Sequence, residues 1–310
     1  MRKAFAETLA ELASEDERIV LLTADLGYMA LEPFADRFPK RFFNVGVAEQ
    51  NMIGVATGLA EAGLIPFAYS IIPFAVLRPY EFIKNGPLIH RLPVRIVGVG
   101  AGVDYANNGP SHHGLDDVGV MRVQPGLMVV APADAAQTRS ALRATAKTPG
   151  PIYFRLSKDE KIAVPPLDGR FELGRLQTVK EGKDVVLVAM GNIAAEALAA
   201  CELLATDGIS AGLSIISSLN PSPTADLAAL FASVPLALTV ETHYLAGGIG
   251  SLAAEVIAET GVRCRLVRCG VKDIPTGPVG SVPYFYERFG LSAARLADNA
   301  RQSLAKLRGA

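Results

Sequence analysis

The sequence predicts an α/β protein of two α/β domains, each with a mostly parallel β-sheet covered by helices. Three observations support this fold class. The chain has 310 residues, more than a single hydrophobic core usually supports. Half of the residues are apolar and 20% are charged, so large cores can form. Short apolar runs alternate with helical patterns along most of the chain, which is typical of parallel sheets.

The alternation begins at the N-terminus, where Phe5, Leu9 and Leu12 share one face of a helix predicted over residues 3–13. The apolar runs that follow are short enough to be buried strands. Strands are predicted at 19–25, 42–45, 65–71, 94–100, 127–132 and 152–156, and helices at 48–61, 78–90 and 133–146.

Residues 158–182 interrupt this rhythm with Pro165-Pro166 and Asp168-Gly169, which indicates a linker and an entry strand into a second domain. The predicted domains are therefore 1–165 and 183–310, with 166–182 between them. Further strands are expected at 184–191, 211–217, 236–242 and 263–269, and helices at 194–205, 224–232, 251–259 and 283–307.

The composition excludes several classes of function. The 30 basic and 31 acidic residues nearly cancel, so no nucleic-acid partner is expected. No apolar run is long enough to cross a bilayer, and the N-terminus does not have the pattern of a signal peptide. The three cysteines lack CxxC spacing, which argues against a zinc site and suits a reducing, cytoplasmic compartment.

Glu49 is the first candidate for chemistry. It lies in the first turn of the helix predicted at 48–61, and Ile53, Ala56 and Ala60 follow it on the same helical face. The carboxylate is therefore expected among apolar side chains, where it could share a proton with a ring nitrogen. The alternative is that Glu49 only stabilises the positive end of the helix dipole.

Two further strand ends carry candidate binding residues. Phe74 and Tyr80 flank the step from a strand to a helix, where an aromatic ring could stack on a flat heterocycle; ordinary core packing is the alternative. Arg155 ends the strand at 152–156 and suits two-point recognition of phosphate or carboxylate. A salt bridge at the domain interface is its equally supported alternative.

The loop at 98–114 is rich in Gly, Asn and His, as functional loops often are. His112 and His113 could relay a proton or bind a hydroxyl group, since histidine titrates near neutral pH. Adjacent histidines rarely face one metal ion. Two exposed loop histidines without a function remain the alternative.

Taken together, these motifs resemble the transketolase-like thiamine diphosphate enzymes, namely their pyrimidine-binding domain followed by their C-terminal domain. The resemblance covers nearly the whole chain, and the strongest match is NVGVAEQNMIGVATGLA at 44–60. The supporting matches are TADLG (23–27), RPYEFIKN (78–85), NGPSHHG (108–114), the arginine after the IYF strand, and TVETHYLAGGIGS (239–251).

The resemblance implies roles for individual residues. Glu49 would hydrogen-bond the N1′ atom of the cofactor's aminopyrimidine and, with His112, would be catalytic. The cofactor is activated to attack a ketose carbonyl, and a two-carbon ketol unit passes to an aldehyde. The residues expected to bind the cofactor are Asp25, Leu26, Glu49, Phe74 and Tyr80, and those expected to bind substrate are Arg2, Asn108, His112 and Arg155.

A missing motif implies a partner. The family binds the diphosphate and its Mg²⁺ through GDG and a downstream Asn, and no GDG occurs in this sequence. We therefore expect no metal ligand on this chain and a large subunit that carries the diphosphate-binding domain. The expected assembly is a heterotetramer of two small and two large subunits, with the cofactor between chains.

Departures from the family pattern bear on the substrate. Asn108 replaces a carboxylate that normally accepts hydrogen bonds from a donor hydroxyl. Of four residues that grip a sugar phosphate in ordinary transketolases, Arg2 and Arg155 match, whereas Gly100 and Met29 replace the other two. We therefore expect a non-standard sugar that is unphosphorylated, branched or otherwise modified.

Two rival functions stay open at this point. One is the β subunit of a 2-oxoacid dehydrogenase, which shares the fold, the glutamate and the need for a partner. Its usual FADY-type run is absent, and NGPSHHG favours the transketolase alternative. The other is a non-catalytic subunit that retains the fold, against which the joint presence of Glu49, His112 and Arg155 argues.

Overall fold

The chain folds around two β-sheets. The computed structural model describes residues 1–309. The strands are β1 (Ile19–Thr23), β2 (Phe42–Asn44), β3 (Ile65–Ile71), β4 (Arg95–Val99), β5 (Met128–Val130), β6 (Ile152–Leu156), β7 (Leu176–Lys180), β8 (Val185–Met190), β9 (Ala211–Ile216), β10 (Ser218–Leu219), β11 (Leu236–Tyr244) and β12 (Arg265–Val271). Most of these strands are buried along their whole length, as expected for sheets covered on both faces.

Helices cover the sheets. They are α1 (Arg2–Glu15), α2 (Glu32–Arg37), α3 (Glu49–Glu61), α4 (Ile72–Val76), α5 (Tyr80–Ile83), α6 (Asp117–Arg122), α7 (Ala135–Thr145), α8 (Ala194–Thr206), α9 (Thr224–Ser233), α10 (Ile249–Thr260), α11 (Val282–Phe289) and α12 (Ala293–Arg308). Within residues 1–309, no helix combines the length and the apolar character needed to cross a membrane.

The sheet order confirms the predicted fold class of two mostly parallel α/β units. The first sheet has the order β10-β5-β6-β4-β3-β1-β2, and its strands are parallel except for the edge strand β10. The second sheet has the order β12-β11-β8-β9-β7, and only β7 runs antiparallel. β7 lies inside the segment predicted as linker and entry strand, whereas β10 adds a piece of the second half to the first sheet.

Three local predictions differ from the structure. The helix predicted at 78–90 is instead α5 followed by one π-helical turn at Lys84–Leu88, which contains Pro87. The predicted C-terminal helix is divided into α11 and α12, because Gly290 adopts a left-handed conformation with φ of 71° between them. The short helices α2, α4 and α6 were not predicted, since five or six residues carry too little periodic signal.

Candidate active site

The candidate site lies at the carboxyl edge of the first sheet. The strands β1, β2, β3 and β4 are neighbours and run parallel, so the segments that follow them meet at one edge. Most of the residues predicted from the sequence lie in those segments.

Glu49 is the first residue of α3 and is only 2% exposed. Its Oε1 accepts a hydrogen bond of 3.3 Å from the hydroxyl of Ser70, which lies in β3. Its Oε2 accepts one of 2.8 Å from Nη1 of Arg78, which follows α4. Both partners lie outside α3, one in β3 and one in the turn after α4, so the carboxylate does more than stabilise the start of its own helix.

Phe74 and Arg78 complete the centre of the site. The central carbon of the Arg78 guanidinium lies 4.0 Å from the centroid of the Phe74 ring. The ring of His112 contacts Phe74 edge-on at a centroid distance of 5.2 Å. A cleft of about 400 Å³ opens beside these residues and is lined by Val47, Ala48, Glu49, Gln50 and Arg78. The structure thus brings the predicted Glu49, Phe74 and His112 together, with Arg78 as a member that was not predicted.

The two adjacent histidines lie in different surroundings. His112 is half-buried, and its Nδ1 is 3.0 Å from the hydroxyl of Ser111. His113 is buried, and its ring meets Phe285 of the second domain edge-on at 5.2 Å. Burial lowers the pKa of His113. Only His112 therefore faces the candidate site, while His113 packs between the domains.

The segment after β1 lines a second pocket at the same edge of the sheet. Asp25 has a left-handed backbone with φ of 56°, and its N–H donates to the side-chain oxygen of Asn44 at 2.9 Å. The hydroxyl of Thr23 donates to the carbonyl oxygen of Leu26 at 2.7 Å. These bonds hold Asp25 and Leu26 at the carboxyl ends of β1 and β2, where they line a pocket of about 260 Å³.

Tyr80 lies apart from this centre. Its hydroxyl donates to the carbonyl oxygen of Val120 at 2.7 Å and accepts from the side-chain amide of Gln124 at 2.5 Å. The ring packs against the apolar core. These contacts correspond to core packing, the alternative that the sequence left open for this residue.

Arg155 is also enclosed, and this corrects the expectation that it binds substrate. It is 1% exposed, and its Nε donates to Oδ2 of Asp117 at 2.8 Å. Its Nη2 donates to the carbonyl oxygens of Gly114 and Thr242, each at 2.9 Å. Because Thr242 belongs to β11, Arg155 contacts the second domain through a hydrogen bond. Its salt bridge is with Asp117 of the first domain, and no part of the side chain is open to a sugar.

Basic groups other than Arg155 lie near the loop at 98–114. The amine of Lys158 is 4.6 Å from the centroid of the Tyr105 ring, which itself lies 6.2 Å from the ring of His112. Arg2 is half-buried at the start of α1, and Asn108 is exposed at the end of a short 3₁₀ turn. Lys158 was not identified as a candidate from the sequence, although it lies only three residues beyond Arg155.

A buried network fixes the position of this loop. Asp104 accepts hydrogen bonds from the hydroxyl of Ser157 at 2.6 Å, from the N–H of Lys158 at 2.9 Å and from the side chain of Asn192 at 3.1 Å. Burial raises the pKa of Asp104. Since Asn192 belongs to the second domain, the domain interface sets the backbone position of Lys158.

The second domain contributes a buried acid and a buried histidine. Glu241 accepts hydrogen bonds from the backbone N–H groups of Ile249 and Gly250 at 2.8 and 2.9 Å, at the start of α10. Burial raises its pKa to about 7. Burial lowers the pKa of His243, whose Nε2 accepts from the N–H of Gly119. His243 therefore bonds across the domain interface, whereas the partners of Glu241 belong to its own domain.

No group of three or more His, Cys, Asp or Glu residues in the described part of the chain is placed to hold a metal ion. The donors near Glu49 are its own carboxylate, the His112 imidazole and the Arg78 guanidinium, and Asp25 adds a second carboxylate after β1. Such a set suits organic ligands with N–H or hydroxyl groups better than a divalent cation.

Fold and site together define an α/β protein with a buried glutamate beside an aromatic ring at a sheet edge. Residues 1–161 match the pyrimidine-binding domain of transketolase, and residues 174–296 match the transketolase C-terminal domain. The chain belongs to the transketolase family, and membership implies thiamine diphosphate as the cofactor.

Individual relatives support this assignment. The chain is 38% identical over 309 residues to a protein of Methanocaldococcus jannaschii described as a transketolase C-terminal section, covering 99% of this chain and 96% of that one. It is 36% identical over 303 residues to the 6-deoxy-6-sulfo-D-fructose transketolase subunit SqwH of Clostridium sp. (strain MSTE9), covering 97% and 94%. A solved split gene transketolase, an inactive beta4 tetramer, is similar with a TM-score of 0.86 and 38% identity over 98% and 97% of the two chains.

Proposed function

We propose that this chain is the small subunit of a two-component transketolase that transfers a two-carbon ketol unit from a ketose to an aldose. The observation that carries the proposal is the buried Glu49 beside Phe74 and His112, in a chain that lacks GDG. These residues provide the pyrimidine half of a thiamine diphosphate site. The diphosphate half, with its Mg²⁺, would belong to a large subunit.

The residues present fit the pyrimidine half of the cofactor. Glu49 has one carboxylate oxygen directed at a planar N–H donor, the guanidinium of Arg78, and Phe74 lies against the face of the same group. A carboxylate and an aromatic ring in this arrangement suit an aminopyrimidine, which is also planar and bears nitrogen. The segment with Asp25 and Leu26 would line the cofactor from the β1 side. When bound, thiamine diphosphate supplies a nucleophilic carbon that attacks the ketose carbonyl.

The chain's own residues would then hold the substrates. His112 is half-buried beside Phe74, where it can donate to or accept from a substrate oxygen. Arg2, Asn108 and Lys158 lie around the same loop. Because Arg155 is enclosed, Arg2 alone is left of the four family phosphate anchors. This further supports a modified or otherwise non-standard sugar, and one similar protein is named for a sulfonated sugar.

The surface around the site supports a partner subunit. Tyr28, Met29 and Val47 are 85, 81 and 72% exposed at the same sheet edge as Glu49. Large exposed apolar side chains at one sheet edge are typical of interaction surfaces. We propose that the large subunit covers them, in a heterotetramer of two small and two large chains. The three free thiols suit a cytoplasmic enzyme of carbohydrate metabolism.

Co-expression of this chain with large subunits that contain GDG tests the proposal. The purified complex, supplied with thiamine diphosphate and Mg²⁺, should transfer a ketol unit between sugars. Glu49→Gln should lower kcat at least about 100-fold without preventing assembly, since proton-transfer groups contribute about that much or more. Glu61→Gln, at the exposed end of the same helix, is the matched control and should leave kcat unchanged.

Full activity of Glu49→Gln would refute the catalytic assignment. Tight binding of the whole cofactor by this chain alone would refute the shared site. Equal activity on ordinary xylulose and ribose phosphates would refute the proposed substrate class while leaving the reaction type intact.

A further inference from the structure

The side chain of Arg78 bridges Glu49 and Phe74. Its Nη1 donates to Oε2 of Glu49 at 2.8 Å, and its guanidinium carbon lies 4.0 Å from the Phe74 ring centroid. Within residues 1–309, Arg78 has no other side-chain hydrogen bond or ion pair. Its head group is therefore held by one bond to the carboxylate and one contact with the aromatic ring.

These are the two contacts that the proposed function assigns to the cofactor's aminopyrimidine. Both groups are flat and can lie against aromatic rings, and both can bind a carboxylate: a guanidinium donates its N–H groups, and an aminopyrimidine shares a proton with the carboxylate through its N1′ atom. Because both would use the carboxylate of Glu49 and the ring of Phe74, they would compete for the same contacts.

We propose that Arg78 occupies the aminopyrimidine position in the cofactor-free protein and leaves it when thiamine diphosphate binds. This inference rests on the function proposed above. Glu49 then has a hydrogen-bond partner in both states, which avoids an unpaired buried carboxylate before the cofactor arrives. The affinity for the cofactor is lowered in return, since the cofactor must displace the Arg78 side chain.

The local structure allows this exchange. Arg78 lies in the turn between α4 and α5, so its side chain can rotate without disrupting a helix. The side chain is 45% exposed, whereas that of Glu49 is 2% exposed. Water can therefore solvate the released guanidinium, while the carboxylate keeps its position.

Equilibrium and stopped-flow binding of thiamine diphosphate with Mg²⁺ to the assembled two-subunit complex tests this proposal without relying on activity. Arg78→Ala and Arg78→Met remove the competing group, so each should bind the cofactor about tenfold more tightly than the wild type and associate with it faster. Arg78→Lys keeps the charge but not the planar head group. Its affinity for the cofactor should therefore fall between that of the wild type and that of Arg78→Ala. Arg263→Ala, an exposed arginine of the second domain, is the control and should bind as the wild type does.

The possible results separate this inference from the function it rests on. Equal or weaker binding by both Arg78→Ala and Arg78→Met, with normal binding by the wild type, would overturn the competition and leave the proposed function standing. Failure of the wild type and every variant to bind the cofactor would overturn both. The two Arg78 substitutions differ in bulk, so agreement between them excludes a local packing fault as the cause.

Discussion

The guanidinium of Arg155, at the end of β6, donates a hydrogen bond of 2.9 Å to the carbonyl oxygen of Thr242 in β11. The same group pairs with Asp117 at 2.8 Å, and both side chains are inaccessible to solvent. The hydroxyl of Tyr153 also donates to Asp117, at 2.6 Å. Arg155 thus forms a buried ion pair within the first domain and, through Thr242, a hydrogen bond to the second domain.

Arg155→Met should destabilise the protein by about 3–5 kcal/mol, because Asp117 would remain buried without its cation. The free energy of unfolding from urea titration measures the effect. Arg175→Met is the control, since the pair of Arg175 with Asp226 is partly exposed and should cost about 1 kcal/mol or less. Similar losses for the two variants would contradict the importance assigned to the buried pair.

Glu241 should make stability depend on pH. Its folded pKa of about 7 lies above its ordinary value of 4.5, so the native state binds more protons between these two values. The contribution of Glu241 is therefore fully present below pH 4.5 and is lost as the pH rises to about 7, by about 3 kcal/mol at most.

Glu241→Gln removes this titration. The neutral amide resembles the protonated acid and does not titrate, so residue 241 of the variant adds no pH dependence to its stability. The unfolding free energy of the wild type minus that of the variant should therefore fall as the pH rises from 5 to 8, by about 3 kcal/mol at most. A difference that does not change with pH would show that Glu241 does not titrate in this range.

The two adjacent histidines should respond differently to substitution. His112→Ala should lower kcat of the assembled enzyme about 100-fold with little change in Tm, because His112 faces the site. His113→Ala should lower Tm instead, by removing a buried ring that contacts Phe285. Steady-state kinetics and thermal unfolding of both variants test this difference. A lower Tm for His112→Ala together with a lower kcat for His113→Ala would show that the roles assigned to the two histidines are wrong.

Lys158 should contribute to substrate binding if the sugar carries an anionic group. Lys158→Met should then raise KM about tenfold, with kcat nearly unchanged, since the ammonium group acts on binding rather than on the reaction. Lys161→Met, exposed three residues away, serves as the control. An unchanged KM for an anionic sugar would exclude this role, and an uncharged sugar should be insensitive to the substitution.

Much of the site could be predicted from local patterns. Glu49 and its apolar neighbours Ile53 and Ala56 follow a helical spacing that places the carboxylate inward, and the structure agrees. Phe74 and His112 follow strands that local hydrophobicity identifies, and parallel neighbours bring such segments to one edge. The predicted order of strands and helices holds for the same reason, except where short helices or Pro87 leave little periodic signal.

Other residues could be placed only by the fold. Arg155 and Lys158 are three positions apart at the end of one strand, yet one is sealed between domains and the other borders the site. The partners that decide this, Thr242 and Asn192, come from far along the chain.

By itself, the sequence determined the fold class, the order of the elements and the family, because side-chain periodicity and contiguous motifs are local properties of the chain. Only the tertiary structure decided which polar side chains at the strand ends share a cleft. It also revealed that Arg78 meets Glu49, since that contact depends on how β3 and α3 pack. Packing between distant segments sets the solvent access of a charge, and solvent access separates a binding group from a structural one.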